Sequence, residues 1–365
     1  MNRFFKTIMT VCVIYFASAM IISPHACIDT AKNSVELCLN VVIPSLFPFM
    51  VCSNLFIHLG TAHTLSRNLS PIMKPLFGIS GGGALAVILG FLSGYPIGAS
   101  TATNLYQSGC ISKSDAERLL AFCNNSGPLF VLGAVGVGMM HSRNAGLFLY
   151  VIHILSALIT GIIFNRYHLS NNCERLLPSA GAQTSKDIAS AVGTSIANSV
   201  DAIFKVCGFV IFFSVFCTTL PNSPLTPFVY SLLEITGGVK HLLNSSLIPS
   251  NLLLPVISFF MALSGVSIML QTSAIVSPAA LSMKPYVYGK IVQAMLAFIL
   301  ALIFQKVFPV TYLTSLNFTY PIPISTLLSP KVQFISFFLS FAVSTLVVAI
   351  LYFIVLIIRY FENKK

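Results

Sequence analysis

The chain has 365 residues, of which 56% are hydrophobic and only 8% charged, with a formal net charge of +11 and a mean hydropathy of +0.89. Soluble domains carry about a quarter charged residues, so this composition excludes a soluble enzyme, a nucleic-acid-binding domain and a secreted disulfide scaffold, and predicts an integral membrane protein. The Lys and Arg side chains are scattered singly between apolar stretches, as loop anchors on one side of a bilayer are, and form no phosphate-binding stripe.

In chain order, Arg3 and Lys6 precede a run from Thr7 to Ile28 without Asp, Glu, Lys or Arg. Ala17-Ser18-Ala19 would serve as the cleavage site of a signal peptide. A retained first span is the preferred reading, because the rest of the chain is itself polytopic. The stretches Leu37 to Ser66, Leu119 to Ser142, Asn144 to Asn165, Val206 to Leu233 and Val332 to Ile358 are also free of those four residues. Each is long enough for one span of roughly 20 residues, and Ile291 to Gln305 is a shorter candidate.

Two longer stretches, Pro75 to Ser112 and His241 to Met283, do not fit single spans. Their apolar runs are interrupted at Ser93-Gly94-Tyr95-Pro96 and at Ser264-Gly265. Gly and Pro there free backbone groups at membrane depth, which is tolerated only where protein buries them or they line a polar cavity. Both are predicted to be broken or re-entrant, pore-lining hairpins. They also resemble each other: at an offset of 171, Leu92, Ser93, Gly94, Ile97, Thr101 and Lys113 match Leu263, Ser264, Gly265, Ile268, Thr272 and Lys284. Upstream, Gly78-Ile79-Ser80-Gly81-Gly82 has a counterpart in Glu234-Ile235-Thr236-Gly237-Gly238, with a shorter intervening gap. An odd number of spans between the copies would invert the second, the arrangement of many secondary transporters, whose site lies at the repeat interface.

Cys123-Asn124-Asn125-Ser126-Gly127-Pro128 places two amides and a proline inside an otherwise apolar stretch. Intramembrane polar clusters mark solute pathways, against the alternative of interhelical hydrogen bonding. Gly90, Gly94 and Gly98 recur every four residues, a helix-packing pattern. A half-helix starting after Ser93-Gly94 would turn a partial positive charge into the cavity, which favours an anion. Ser112 and Ser114 precede Asp115 and Glu117 as helix-capping residues do. Arg118 opens the following stretch and either steers a ligand or snorkels to the interface. His58, His141 and His153 read as structural, and Asp201 and Glu234 as loop carboxylates or proton sites. Nine cysteines form no C-x-x-C motif and no Cys/His cluster, so no metal and no cofactor is expected. No Gly-Lys-Ser/Thr follows Gly81-Gly82-Gly83, so there is no P-loop. No nucleophile or paired-carboxylate arrangement is present, which predicts a non-enzymatic protein.

The runs VVIPSLFPFM from Val41, GFLSGYPIGA from Gly90 and SDAERLLAFCNNSGPLFVLGAVGVG from Ser114 resemble the YlbJ-type sporulation integral membrane proteins of the Gate (nucleoside-recognition) family. The resemblance covers about Val35 to Ala301 and is more specific in the first copy than in the second. It implies an all-α polytopic membrane protein of two inverted Gate-type repeats with broken or re-entrant helices, about eight membrane segments plus hairpins. The expected organisation is an N-terminal span and connector over 1–34 and a first repeat over 35–165. A polar, cytosolic linker follows over 166–200, then a second repeat over 201–306 and C-terminal membrane segments with a basic tail over 307–365.

The resemblance further implies a transporter or facilitator that moves dipicolinic acid, a small aromatic dianion, out of the mother cell across the outer forespore membrane. Ser93, Gly94, Tyr95, Arg118, Asn124, Asn125, Ser126, Gly127, Ser264 and Gly265 are the expected substrate-binding residues. The expected partners are a small organic anion and the lipid bilayer, with a homo-oligomer or a partner membrane protein also compatible. The alternatives are a non-transporting membrane scaffold for spore-envelope assembly, and a permease for another small solute such as a nucleoside.

Overall fold

A computed structural model describes residues 3–59, 61–166, 188–221 and 223–307, and everything described is helix or connection. The helices in order are α1 (Arg3–Ile22), α2 (Pro24–Leu37), a π-helical turn Cys38–Val42 leading into α3 (Ile43–His58), and α4 (Thr61–Phe77). A 3₁₀ turn over Gly81–Gly83 then leads into α5 (Ala84–Ser93), followed by α6 (Ile97–Gln107) and α7 (Lys113–Leu120). After a non-helical segment come a π-helix over Leu129–Met139, α8 (Arg143–Arg166), α9 (Ile188–Thr218), α10 (Thr226–Leu233) and α11 (Ile235–Leu243). The described part ends with α12 (Ser250–Leu263), α13 (Gly265–Val276) and α14 (Lys284–Val307).

Among the described residues, four stretches are long and apolar enough to cross a bilayer: Arg143–Asn165, Ile188–Thr218, Ser250–Ala279 and Lys284–Val307. Two bent pairs raise the number to six, Thr10–Ile22 with Pro24–Asn40 at 102° and Asn68–Phe77 with Gly81–Ser93 at 94°. The apolar run from Val332 and the basic tail lie outside the described residues. The protein is an all-α polytopic membrane protein with the broken helices expected of it.

The breaks fall where glycine permits them. Gly78 (φ +64°) ends α4, Gly94 (φ +88°) ends α5, and Gly265 (φ +76°) begins α13; such φ values suit glycine and few other residues. At the first break the chain turns back, and α5 and α6 pack against each other as a hairpin. At the second, α12 and α13 continue as one 30-residue span, so the hairpin expected there is a broken but through-running helix. Ser264 at that break has φ +76°, a conformation that costs a non-glycine residue about 1–3 kcal/mol.

Three further expectations are corrected. The stretch 119–142 is not one span, because α7 stops at Leu120 and backbone from 121 to 128 is irregular. The stretch 206–233 is divided between the end of α9 and α10, and α9 starts at Ile188, so the last part of the expected polar linker is helical. The Asp201–Lys205 ion pair, at 2.6 Å and exposed, lets that helix continue through two charges as an i,i+4 pair.

Carboxylates close helix starts in both of the stretches that resemble each other in sequence. Glu234 accepts from the backbone N–H of Thr236 (2.8 Å) and Gly237 (2.6 Å) to begin α11. Asp115 accepts from Ser80 N–H at 3.1 Å beside the Gly81 turn, while its own N–H is capped by Ser112 Oγ at 3.1 Å. These roles settle the acidic residues as caps for otherwise orphaned N–H groups. At the centre of the fold α14 lies against α12, α8 and α7, and α6 lies against α3 and α13.

Candidate functional site

The site is built around the irregular segment 121–128, which threads between the α5–α6 hairpin and α14. Glycines make the room. A Cβ at Gly90 or Gly98 would strike the Cys123 carbonyl, one at Gly127 would come within 2.7 Å of Ser93 O, and one at Gly289 would strike Ala121. The four-residue glycine spacing therefore seats a strand of unwound backbone, not a second helix.

Because residues 121–128 are not helical, their side chains project toward three neighbouring elements. Asn124 Oδ1 accepts from Ala99 N–H at 3.4 Å in the first turn of α6, and Asn124 Nδ2 donates to Thr272 Oγ1 on α13 at 2.9 Å. Asn125 Nδ2 donates to Phe122 O at 2.6 Å. The Asn125 Oδ1 atom accepts from Gln293 Nε2 at 2.8 Å and from Lys290 Nζ at 3.4 Å, both on α14. Lys290 Nζ also donates to Gln293 Oε1 at 2.9 Å. From the other side Ser126 N–H donates to His153 Nε2 at 3.0 Å; accepting there, the imidazole is neutral and carries its proton on Nδ1.

The two helix breaks meet at this cluster. Tyr95, at the α5–α6 turn, donates its hydroxyl to Met261 O at 3.1 Å and shares a hydrogen bond with Ser264 Oγ at 2.8 Å. The Tyr95 ring lies 5.4 Å from Lys290 Nζ, and the Tyr286 ring 5.9 Å, both within cation–π range. Lys290, Gln293, Asn124, Asn125, Ser264, Thr272 and Tyr286 are wholly buried, and Ser126 and His153 nearly so.

This is an unusual place for a lysine. Its ammonium touches only amide oxygens and ring faces, and no carboxylate among the described residues lies within ion-pair distance of it. Removing an unpaired ammonium from water costs several kcal/mol. Hydrogen bonds to a charged group return about 1.5–3 kcal/mol each, and one of the two here is long. Two more polar atoms are buried without a partner, Ser93 Oγ and His153 Nδ1, while the hydroxyl of Ser126 lies close to Tyr95 and that of Tyr286 close to Thr272, Asn124 and Ser264. A cation with surplus O–H and N–H donors and no acid is a donor set that an anion satisfies and a metal ion does not. Among the described residues no cluster of His, Cys, Asp or Glu could hold a metal.

Of the residues singled out in the sequence, Ser93, Gly94, Tyr95, Asn124, Asn125, Ser126, Gly127, Ser264 and Gly265 come together here. Arg118 does not. Its Nη1 donates to Gly78 O at 3.0 Å, and Asn165 Nδ2 donates to Pro75 O and Leu76 O at 3.2 Å. Both close the C-terminal carbonyls of α4, a capping role suited to a cation. Lys290 and Gln293 were not among the candidates, because a lone lysine beside an apolar run reads as its boundary. The signal was present in the spacing: Tyr286, Lys290, Gln293, Ala297 and Ala301 recur every three or four residues along one helix face, and all are buried. His153, read as structural, holds the backbone of the site through Ser126.

The nucleoside-recognition (Gate) family matches residues 39–143, which takes in the hairpin and the whole 121–128 segment. The chain is 29% identical over 342 residues, 82% of its own length and 83% of the relative's, to the sporulation integral membrane protein YlbJ of Bacillus subtilis (strain 168). No solved structure matches the chain.

Proposed function

We propose that this chain is a sporulation membrane transporter or facilitator for dipicolinate, moving it from the mother cell across the outer forespore membrane without a catalytic step. The observation that carries the reading is the wholly buried Lys290, whose ammonium has two amide oxygens and two aromatic faces around it but, among the described residues, no carboxylate. In an enclosed site such a charge finds its counter-ion in an anionic substrate. The broken helices at Gly94 and Gly265 support transport over scaffolding, since a scaffold has no need of irregular backbone deep in a membrane. The name of the Bacillus subtilis relative supports the setting. A small organic dianion suits these surroundings, with a carboxylate on the Lys290 ammonium and amide and aromatic side chains close by.

The test is spore dipicolinate content in a deletion strain complemented with the wild-type chain, Ser93→Leu or Asn124→Leu, each at normal membrane abundance. Dipicolinate held back in the mother cell by both variants supports the reading. Normal spore dipicolinate in the variants and in the deletion itself overturns it and leaves a scaffold role.

A further inference from the structure

The same site raises a question of charge: what Lys290 does when no anion is present. The ammonium has three N–H donors. It finds one acceptor at 2.9 Å, Gln293 Oε1, and a second at 3.4 Å, Asn125 Oδ1, which Gln293 Nε2 already occupies at 2.8 Å. Among the described residues, the ionisable groups around it are Tyr95 on the α5–α6 turn, Cys123 on the irregular segment, His153 on α8 and Tyr286 on its own helix. None of these is a carboxylate, and His153 is held neutral by Ser126 N–H. Both carboxylates and the arginine of α7 are engaged elsewhere: Asp115 on Ser80 N–H, Glu117 on Ser282 N–H and Arg118 on Gly78 O. Helices α12 and α13 contain no ionisable side chain. An enclosed ammonium without a counter-ion is costly, and lysine, unlike arginine, can shed its proton.

We propose that Lys290 makes the transport proton-linked: the anion and one proton occupy the site together, the proton on Nζ, and both leave together. The inference rests on the anion-transporter reading of the same site. On loading, the Nζ lone pair takes a proton from water as the anion enters, forming an ammonium–carboxylate pair. On release the N–H bond breaks, the electron pair returns to Nζ, and the proton passes to water with the departing anion. The empty site crosses back as an uncharged amine, with Gln293 and Asn125 as hydrogen-bond partners.

The test is calorimetric titration of the purified full-length protein with dipicolinate in buffers of different ionisation enthalpy, which counts protons taken up per anion bound. Neutral to mildly alkaline pH is used, where the ligand's carboxylates stay ionised. The wild type is expected to take up close to one proton in the alkaline part of the range. Its affinity then falls there by up to about tenfold per pH unit, because the bound state holds the extra proton. Lys290→Arg, a permanent cation, is expected to bind with no proton uptake and no such slope. Wild-type binding without proton uptake overturns the proton link and leaves the anion site standing. Uptake that persists in Lys290→Arg also overturns it, moving the proton to another group. No dipicolinate binding by folded wild-type protein overturns the transporter reading and this inference with it. The wild-type proton count is decisive even if the arginine variant fails to fold.

Discussion

Replacing Lys290 by methionine separates stability from function. The flexible, unbranched side chain keeps most of the packing volume and removes the ammonium. Asn125 Oδ1 keeps its 2.8 Å bond from Gln293 Nε2, so the one acceptor stranded is Gln293 Oε1, which costs about 1–3 kcal/mol. The empty site holds Lys290 as an uncharged amine, so no buried charge is relieved, and the apolar methionine chain offsets only the smaller cost of keeping a polar amine out of water. The balance is a modest loss, so Lys290→Met should fold and melt somewhat below the wild type, by no more than about 1–3 kcal/mol of stability. Binding has no such compensation. Losing one partner of a desolvated charge pair costs about 2–5 kcal/mol, a loss of roughly 30-fold to several thousand-fold in dipicolinate affinity. The assay is thermal unfolding in detergent alongside calorimetric titration of the same preparation. A variant that folds normally and binds dipicolinate as tightly as the wild type would refute the assignment of Lys290 to the site.

Arg118→Met should leave dipicolinate affinity within about twofold and lower stability by about 1–3 kcal/mol, since it strips the donor from Gly78 O; thermal melting and titration of one sample decide it. Gly98→Ala puts a methyl into the Cys123 carbonyl, and overpacking of this kind costs about 1–3 kcal/mol. It should lower the melting temperature and weaken binding together, because the displaced backbone carries Asn124 and Asn125. Tyr95→Phe removes the bonds to Ser264 Oγ and Met261 O but keeps the ring beside Lys290, so a stability loss of about 1 kcal/mol should come with affinity largely retained. Glu234→Ala, which uncaps α11, should cost about 0.5–2 kcal/mol without touching dipicolinate binding.

The parts of the site legible in the sequence are those whose chemistry is local. Gly94 and Gly265 announce breaks because a positive φ at a helix end suits glycine. Asn124 and Asn125 stand out because two amides in an apolar stretch need partners. Ser112 and Asp115 spell a helix cap within four residues. The unwinding of 121–128 is not local: it depends on Gly90, Gly98 and Gly289 leaving space, and the last is far away in the chain. Lys290 was hidden by two things. A single charge at the edge of an apolar run gives the same pattern whether it marks the membrane surface or sits within a longer helix. The expected repeat gives no pointer to Lys290 or Gln293 either, since an offset of 171 places Lys290 opposite Leu119 and Gln293 opposite Phe122. The first half of the chain supplies the amides and α14 supplies the cation. Arg118 was a candidate for the converse reason. It lies a few residues before the asparagines in sequence, but in space it reaches the end of α4.

The central claim is that the chain moves an organic dianion through a site holding Lys290, and uptake of radiolabelled dipicolinate into proteoliposomes tests it most directly. Wild-type protein should give saturable uptake that unlabelled dipicolinate suppresses and uridine does not, while Lys290→Met, reconstituted in equal amount, should give none above empty vesicles. Wild-type uptake no greater than that of empty vesicles, or equal uptake by wild type and Lys290→Met, would contradict it.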